Sequence, residues 1–397
     1  MKPPINLSQK TSRYLYVCIN CRSYTLASSL TIKPTRRYST TAPPPTAAYT
    51  LLSSRRLISL TGPDSTHYLQ GVITANISPS SPRATGFYAA FLNAPGRLLN
   101  DVFIYPHSED GTEGWLIEVD AKEVQVLANH IKRYRLRSKF EVRIVEEGER
   151  SVWSVWREGE GEGEGGRTPH GPATSRPDSG LDGWIAKGGV ACEDKRAPGM
   201  GRRLLLPGGQ KPPVDCEEST QDAYRLRRYL KGVPEGQDEL PREHALPQES
   251  NIDFMGGIDY KKGCYVGQEL TIRTHHRGVV RKRILPVMLY GKDEEAPAAL
   301  EYMPRKELGV EGIPRETGIG RINKRGRSAG KFIMGMGNVG LGLCRLETMT
   351  GVQVQGEAGA YQEGDEFKLE WEVEGKGQIV KIKAFVPPWH PKQYSSL

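Results

Sequence analysis

The sequence predicts an α+β protein that ends in a small all-β domain. Within residues 49–284, short apolar strands and amphipathic helices follow each other in an irregular order, which fits an α+β region better than regular βαβ repetition. After Leu285 the chain changes to short strands separated by glycines, which predicts a barrel-like domain over 285–397. The sequence has no run of about 18 apolar residues, so it contains no predicted membrane span.

The α+β region begins with a predicted strand, a helix and a hairpin. Residues 57–60 predict a short strand, and Asp64 lies where it would cap the helix that carries Tyr68. Two apolar runs, 87–92 and 98–105, flank a turn that contains proline and glycine. Such a pair of runs predicts a β-hairpin.

The region continues with a strand at 115–119, a helix, and two strands at 140–145 and 152–156. Asp120 and Glu123 have the spacing of a capping box, which places the start of the helix between strands. Apolar residues recur along this helix at a spacing that predicts one buried face, namely Val124, Leu127, Ala128, Ile131 and Tyr134.

A low-complexity segment interrupts the region at 158–180, where Glu-Gly repeats are followed by Pro, Ser and Thr. This composition cannot build a packed core and predicts a flexible insertion. Farther along, Ser219 and Asp222 mark the start of another helix, and Gly232 marks its end.

The N-terminal segment has the composition of a targeting presequence. Residues 1–63 contain no Asp or Glu but nine basic residues and many Ser and Thr. An Arg-rich, acid-free start is typical of mitochondrial transit peptides, so we predict a transit peptide over 1–38, a linker over 39–48 and a location in the mitochondrial matrix. Seven of the 55 basic residues lie in 1–38, which leaves the mature chain nearly neutral. Nucleic acid is therefore not an expected partner.

The densest chemical signal is the segment 261–269, Lys-Lys-Gly-Cys-Tyr-Val-Gly-Gln-Glu. Its two glycines allow tight turns around Cys264, and Gln268 begins a predicted helix. A cysteine near a helix N-terminus and among cations is expected to favour the thiolate, the form that attacks electrophiles or binds metal. The cations within 261–283 are Lys261, Lys262, Arg273, Arg277, Arg281, Lys282 and Arg283.

The residues alone leave the use of this thiolate open. A Cys–His nucleophile would need His275 or His276 to reach Cys264, which sequence spacing does not establish. A closed zinc or iron–sulfur site takes four ligands, and this motif supplies one cysteine. Any cluster that Cys264 binds must therefore take its other ligands from a second protein. An inert cysteine beside a solvated basic segment is the remaining interpretation.

A Gly-x-Gly-x-x-Gly pattern at 335–340 invites a dinucleotide-binding interpretation. That fold requires a helix directly after the pattern, whereas residues 341–345 continue as a strand. We therefore interpret these glycines as turn residues of the C-terminal barrel.

The segment 262–269 is similar to the signature of YgfZ-type proteins, which are relatives of the aminomethyltransferase T-protein (GcvT) of the glycine cleavage system. The flanking segments 246–253 and 273–283 extend this similarity. So do Tyr68-Leu69-Gln70-Gly71 and the hairpin residues of 91–97. With its presequence, the chain resembles the mitochondrial members, which act in iron–sulfur cluster assembly.

The resemblance implies a GcvT/YgfZ-like ring of three domains around a channel that holds tetrahydrofolate in relatives. It also implies that the protein acts with A-type carrier proteins in the maturation of [4Fe-4S] proteins, with Cys264 as a ligand of a shared [2Fe-2S] cluster. The candidate cofactor-binding residues are Asp101, Lys262, Tyr265, Gln268, Glu269, Arg273 and Arg281.

We favour an assembly factor over an enzyme. T-proteins carry paired acids on the second strand of the hairpin, whereas this chain has Asn100-Asp101, and T-proteins lack the Lys-Gly-Cys-Tyr segment. The alternative is a tetrahydrofolate-dependent aminomethyl transferase in which Asp101 is the polar catalytic group. A thiol enzyme that uses His275 or His276 is the third hypothesis.

Overall fold

The computed structural model describes residues 42–391 except 79, 81, 110, 160–178, 187–188, 323–327, 357–358 and 360. The predicted transit peptide and most of the predicted Glu-Gly insertion lie outside the described residues. The described part belongs to one compact unit, Tyr38–Leu397. None of its described helices is long and apolar enough to cross a membrane.

The described residues form sixteen strands and six α-helices. The strands of the α+β region are β1 (Ala47–Leu51), β2 (Arg55–Thr61), β3 (Phe87–Leu92), β4 (Leu98–Glu109), β5 (Thr112–Asp120), β6 (Glu141–Ile144), β7 (Arg150–Arg157), β8 (Val190–Glu193), β9 (Arg202–Pro207) and β10 (Glu217–Glu218). Those of the C-terminal region are β11 (Lys282–Tyr290), β12 (Gly318–Arg321), β13 (Gly330–Met336), β14 (Val339–Arg345), β15 (Phe367–Val373) and β16 (Lys376–Ala384). The helices are α1 (Ser65–Val72), α2 (Val124–Tyr134), α3 (Ser179–Ala186), α4 (Gln221–Lys231), α5 (Gln268–Arg277) and α6 (Leu346–Met349), with 3₁₀ turns at Lys306–Leu308 and Val310–Gly312.

Two five-stranded sheets build the α+β region. One has the strand order β3-β4-β5-β2-β6, with neighbouring strands antiparallel throughout, and the other has the order β10-β1-β7-β9-β8. Side chains of both sheets share one core, in which Leu57 and Phe103 of the first sheet belong to the same cluster as Val152, Trp156 and Leu205 of the second. The predicted hairpin is confirmed as β3 and β4.

The last six strands form a closed barrel in the order β11-β14-β13-β12-β15-β16. Its interior is apolar and includes Leu285, Val287, Phe332 and Ile382. Gly337, with φ +62°, lies in the turn between β13 and β14. The glycine pattern at 335–340 is thus confirmed as part of the barrel, with Gly337 in a turn as predicted, while Gly335 and Gly340 lie in the flanking strands.

Two carboxylates that were predicted as helix caps bind backbone amides elsewhere. Asp64 precedes α1 but makes no side-chain cap, and its Oδ2 accepts a hydrogen bond from Lys139 N (2.6 Å). Asp120 likewise accepts from Gln237 N (2.8 Å), while Glu123 occupies the cap position of α2 without a side-chain cap. The predicted caps are therefore wrong, because these carboxylates join segments that are distant in sequence.

The start of α4 also differs by one residue from the prediction. Thr220, rather than Ser219, is the cap, and its Oγ1 accepts a hydrogen bond from Ala223 N (3.1 Å). Gly232 adopts the left-handed conformation at φ +71° and ends the helix as predicted. This conformation favours glycine, since a side chain would be strained there.

Helix α2 buries four of the five residues predicted for its inner face. Val124, Leu127, Ala128 and Ile131 are buried, whereas Tyr134 is 50% exposed. Tyr134 is the last residue of the helix, and its ring packs on His130 instead of in the core. Its placement in the core was wrong.

Candidate functional site

Cys264 lies on an irregular segment that leads into α5, and we refer to residues 259–267 as the Cys264 loop. Cys264 is exposed and Val266 is 43% exposed, whereas Tyr265 between them is buried. Tyr265 N donates a hydrogen bond to Gln268 Oε1 (3.1 Å). The loop is therefore anchored through Tyr265 and presents Cys264 outward.

Lys262 ties this loop to the end of α1. Its Nζ donates hydrogen bonds to the carbonyl oxygens of Gln70 (2.8 Å), Ile73 (2.6 Å) and Ala75 (2.9 Å). Partial burial lowers the pKa of Lys262 to about 8, and the nearby Asp259 opposes this shift. The structure thus gives Lys262, predicted from the sequence to contact a cofactor, a clear role in positioning the loop.

The turn of the β3–β4 hairpin packs directly against the Cys264 loop. A Cβ on Gly267 would overlap the carbonyl oxygen of Asn93, and a Cβ on Gly96 would lie 2.9 Å from the carbonyl oxygen of Gly267. Val266 N donates a hydrogen bond to Gly71 O (3.0 Å) on the other side. The two motifs near the front of the sequence therefore form the support of the cysteine motif.

The predicted basic cluster around Cys264 divides into exposed and internal residues. Lys282 pairs with Glu249 (3.0 Å), and Arg283 pairs with Asp253 (2.8 Å). Glu269 is exposed in the first turn of α5. Between the start of α5 and Arg283, the exposed cations are Arg273, Arg277 and Arg281.

The two histidines of α5 are engaged in ring stacking. His275 stacks on Tyr260 with ring centroids 3.6 Å apart and planes 9° apart, and partial burial lowers the pKa of its imidazole. His276 packs edge-on against His275 at 4.8 Å. Within the described ranges, no group of three or more His, Cys, Asp or Glu side chains is arranged to hold a metal ion. A complete ligand set for Cys264 is accordingly absent from this part of the chain.

A polar cavity of about 650 Å³ opens between α5 and the start of the barrel. Its lining includes Leu270 and Thr274 of α5, Arg281, Glu249 and Arg345, but neither Cys264 nor Asp101. The structure therefore places Arg281 and Asp101, both predicted to bind a cofactor, in different surroundings.

Asp101 is fully buried on β4. Its Oδ1 accepts a hydrogen bond from Gly236 N (3.0 Å), and its Oδ2 lies 3.4 Å from Arg55 Nη1. Burial raises the pKa of this carboxyl, while Arg55 opposes the shift. The neighbouring Asn100 accepts from Arg242 Nη1 (2.9 Å) through its Oδ1. Both carboxylate oxygens of Asp101 are thus engaged within the chain.

A buried ionic network surrounds Asp101 between the two sheets, and the sequence analysis missed it. Glu118 accepts hydrogen bonds from Arg55 Nε (2.8 Å), from Tyr105 OH (2.7 Å) and from Arg203. Glu235 pairs with Arg203 and with Arg196 (2.9 Å). Strand alternation gave part of the signal, because it places Glu118 on the same face of β5 as the apolar Leu116 and on the face opposite Ile117 and Val119. The other members are Asp194, Arg228 and Glu239.

Comparison with known proteins first defines the class. The crystal structure of glycine cleavage system aminomethyltransferase T from Bartonella henselae has a TM-score of 0.55 to this chain, with 13% identity, and covers 88% of each chain. The family model of the CAF17 C-terminal beta-barrel domain matches residues 281–392. The protein thus has the aminomethyltransferase T fold, as predicted, with a barrel of the CAF17 type.

Three curated relatives then define the family. Each is named "Iron-sulfur cluster assembly factor IBA57 homolog, mitochondrial". The Pyricularia oryzae protein is 51% identical over 352 residues, covering 87% of this chain and 85% of the relative. The Coccidioides immitis protein is 44% identical over 401 residues (94% and 90%), and that of Chaetomium globosum 47% over 369 residues (85% and 82%). The chain belongs to the IBA57 family of mitochondrial iron–sulfur cluster assembly factors.

Proposed function

We propose that this protein acts in the mitochondrial matrix with an A-type carrier protein, and that Cys264 binds a [2Fe-2S] cluster shared between the two. The cluster is the cargo that serves the maturation of [4Fe-4S] proteins. The observation that carries this proposal is an exposed thiol on an anchored loop, without a complete ligand set among the described residues. Family membership supports the wider role in cluster assembly.

The surroundings of Cys264 favour a shared site over a private one. Binding needs loss of the thiol proton and formation of one Fe–Sγ bond, after which the partner supplies the remaining ligands. Lys262 and Gly267 hold the loop against α1 and the hairpin, so little conformational freedom is lost when the partner arrives. The exposed Val266 provides apolar contact beside the cluster.

The test combines residues 39–397 with an A-type carrier, iron and sulfide under anaerobic conditions. Visible absorbance and native mass are recorded for wild type, for Cys264→Ser and for the control Cys216→Ser, which changes a half-buried cysteine just before β10. We expect a coloured complex of one protein with one carrier for wild type and Cys216→Ser, and loss of the cluster from the complex in Cys264→Ser. A complex that keeps its cluster in Cys264→Ser would refute Cys264 as the ligand.

A tetrahydrofolate-dependent aminomethyl transferase is the second candidate function, favoured by the fold. Tetrahydrofolate does not fit Asp101 as this carboxyl is placed, because Gly236 and Arg55 already engage its oxygens. The transferase hypothesis requires folate turnover that survives Cys264→Ala and is lost in Asp101→Asn. Turnover with that pattern would displace our proposal.

A further inference from the structure

The C-terminal part of α2 and the turn after it form an exposed surface that is both basic and apolar. We call residues 132–139 the α2 surface. Tyr134 is 50% exposed and Leu136 85%. The exposed cations interleaved with them are Lys132, Arg133, Arg137 and Lys139.

The charge of this surface is not neutralised by the part of the chain that the structure describes. The side chains of Lys132, Arg133, Arg137 and Lys139 form no ion pair with a described carboxylate. Asp64 accepts a hydrogen bond from the backbone amide of Lys139 (2.6 Å) and not from its side chain. Four positive charges within eight residues therefore face solvent, and the surface selects an anionic occupant.

Leu136 is held outward by the structure of the turn. Its φ of +50° lies in the left-handed region, which disfavours leucine, and its side chain packs in none of the apolar cores. Arg135 Nη1 donates to Phe140 O (2.9 Å), and the Phe140 ring lies 5.0 Å from that of Tyr68. The contacts of Arg135 and Phe140 thus anchor the turn, and the Leu136 side chain protrudes from it into solvent.

We propose that the α2 surface binds the surface of an anionic phospholipid bilayer. Lysine and arginine side chains attract lipid phosphates, and a protruding leucine beside a tyrosine enters the boundary between headgroups and acyl chains. A protein partner would have to provide a pocket for Leu136, and the phosphate backbone of a nucleic acid would offer this side chain no apolar contact. The chain's own N-terminal segment offers no charge complement, because residues 1–63 contain no acid.

The topology keeps such a bilayer away from Cys264. The turn at 135–140 enters β6, which forms one edge of the first sheet, and the hairpin turn that supports the Cys264 loop joins β3 to β4 at the other edge. Thr61 pairs with Glu141 at one end of the strands, and Arg55 pairs with Asp120 at the other. The two turns thus lie at diagonally opposite corners, so lipid binding leaves Cys264 open to a carrier.

The first experiment measures vesicle co-sedimentation of residues 39–397, which omits the basic presequence and keeps nearly all of the compact unit. Vesicles of phosphatidylcholine with about 30% cardiolipin are compared with phosphatidylcholine alone. We expect Arg133→Glu/Arg137→Glu to lower partitioning to anionic vesicles by at least about tenfold. The matched control Lys292→Glu/Lys376→Glu changes net charge equally at exposed sites in the barrel and should retain most binding.

The second experiment tests the apolar tip without risk to the fold. Leu136→Asn suits the positive φ, so thermal stability should be kept or raised while partitioning falls several-fold. Val373→Asn, at a residue of 44% exposure in the barrel, is the control and should leave partitioning unchanged. Raised salt should weaken wild-type binding.

Several outcomes would overturn the proposal. These are equal wild-type binding to neutral and anionic vesicles, and equal behaviour of the two charge-reversal pairs. Another is tighter binding of single-stranded RNA than of vesicles, lost in Arg133→Glu/Arg137→Glu. A last one is vesicle binding that emerges only after Glu160, Glu162 and Glu164 are changed to Gln, since the chain's acidic segment would then be the occupant. Cys264→Ser should bind vesicles like wild type, which separates this test from that of the cluster.

Discussion

At the scale of the single residue, Asp101 and Glu118 are both fully buried carboxylates, but they have different hydrogen-bond partners. Asp101 accepts one backbone amide and lies 3.4 Å from one arginine. Glu118 accepts from Arg55, Arg203 and Tyr105. Burial raises the pKa of Asp101, so its neutral form is closer in energy to its charged form than for a solvated acid.

We therefore expect Asp101→Asn to lower the free energy of unfolding by only about 1 kcal/mol, because the amide oxygen still accepts from Gly236. Glu118→Gln should lower it by about 3–5 kcal/mol, because it leaves Arg55 and Arg203 buried with less negative charge. Urea unfolding measures both values. Similar losses for the two variants would contradict this ranking. Asp101→Asn should also leave cluster binding intact.

The role of a single residue was predictable from the sequence where its important neighbours are also close to it in the sequence. Cys264 stood out because glycines and cations surround it in the sequence. The contacts of Lys262 with carbonyl oxygens about 190 residues earlier depend on how the chain folds, and no local pattern announces them. Arg55 and Arg203 were missed for the same reason, since both meet Glu118 of another strand.

At the scale of elements, two glycines of the Cys264 loop allow a matched comparison. Gly267 has φ +79°, and a Cβ there would overlap Asn93 O and lie 2.8 Å from Leu92 Cβ. A Cβ on Gly263 would meet no atom within 4 Å. Both glycines belong to the same motif, but only Gly267 lies at the contact between loop and hairpin.

Gly267→Ala should therefore lower the free energy of unfolding by about 2–3 kcal/mol or move the loop off the hairpin, and should weaken cluster binding. Gly263→Ala should change stability by no more than about 0.5 kcal/mol. Thermal unfolding and cluster titration with a carrier would be measured for both. Equal effects of the two substitutions would show that close packing of Gly267 against the β3–β4 hairpin is not the reason for a glycine at this position.

Element types were predictable because their apolar periodicity is strong. The hairpin, α2 and the barrel strands follow apolar patterns that neighbouring residues carry. The predicted caps failed because Asp64 and Asp120 bind amides of Lys139 and Gln237 across the fold. The burial of Tyr134 was wrongly predicted because apolar spacing does not show that the last residue of a helix extends past the core.

At the scale of the whole molecule, the end of the described chain returns to the α+β region. Trp389 Nε1 donates to the carbonyl oxygen of Lys231 at the end of α4 (2.9 Å), and the ring of His390 lies 5.3 Å from that of Phe254. His390 is only 5% exposed. The tail therefore connects the barrel to elements that precede α5.

This connection should make stability depend on pH. Burial, with a smaller effect of Arg283, lowers the pKa of His390 to about 3, compared with about 6.5 in the unfolded chain. Between these values the unfolded state binds more protons, so the free energy of unfolding falls as the pH drops below about 6.5, by at most about 1.4 kcal/mol per unit. His390→Gln should remove this contribution.

Urea unfolding at pH 7 and pH 5 measures the effect. The loss of stability on acidification should be smaller in His390→Gln than in wild type by up to about 2 kcal/mol, while the control His67→Gln, at an exposed histidine, should behave like wild type. A wild-type pH dependence that persists in His390→Gln would assign the effect to other groups. It would also mean that the tail does not bury His390 in solution.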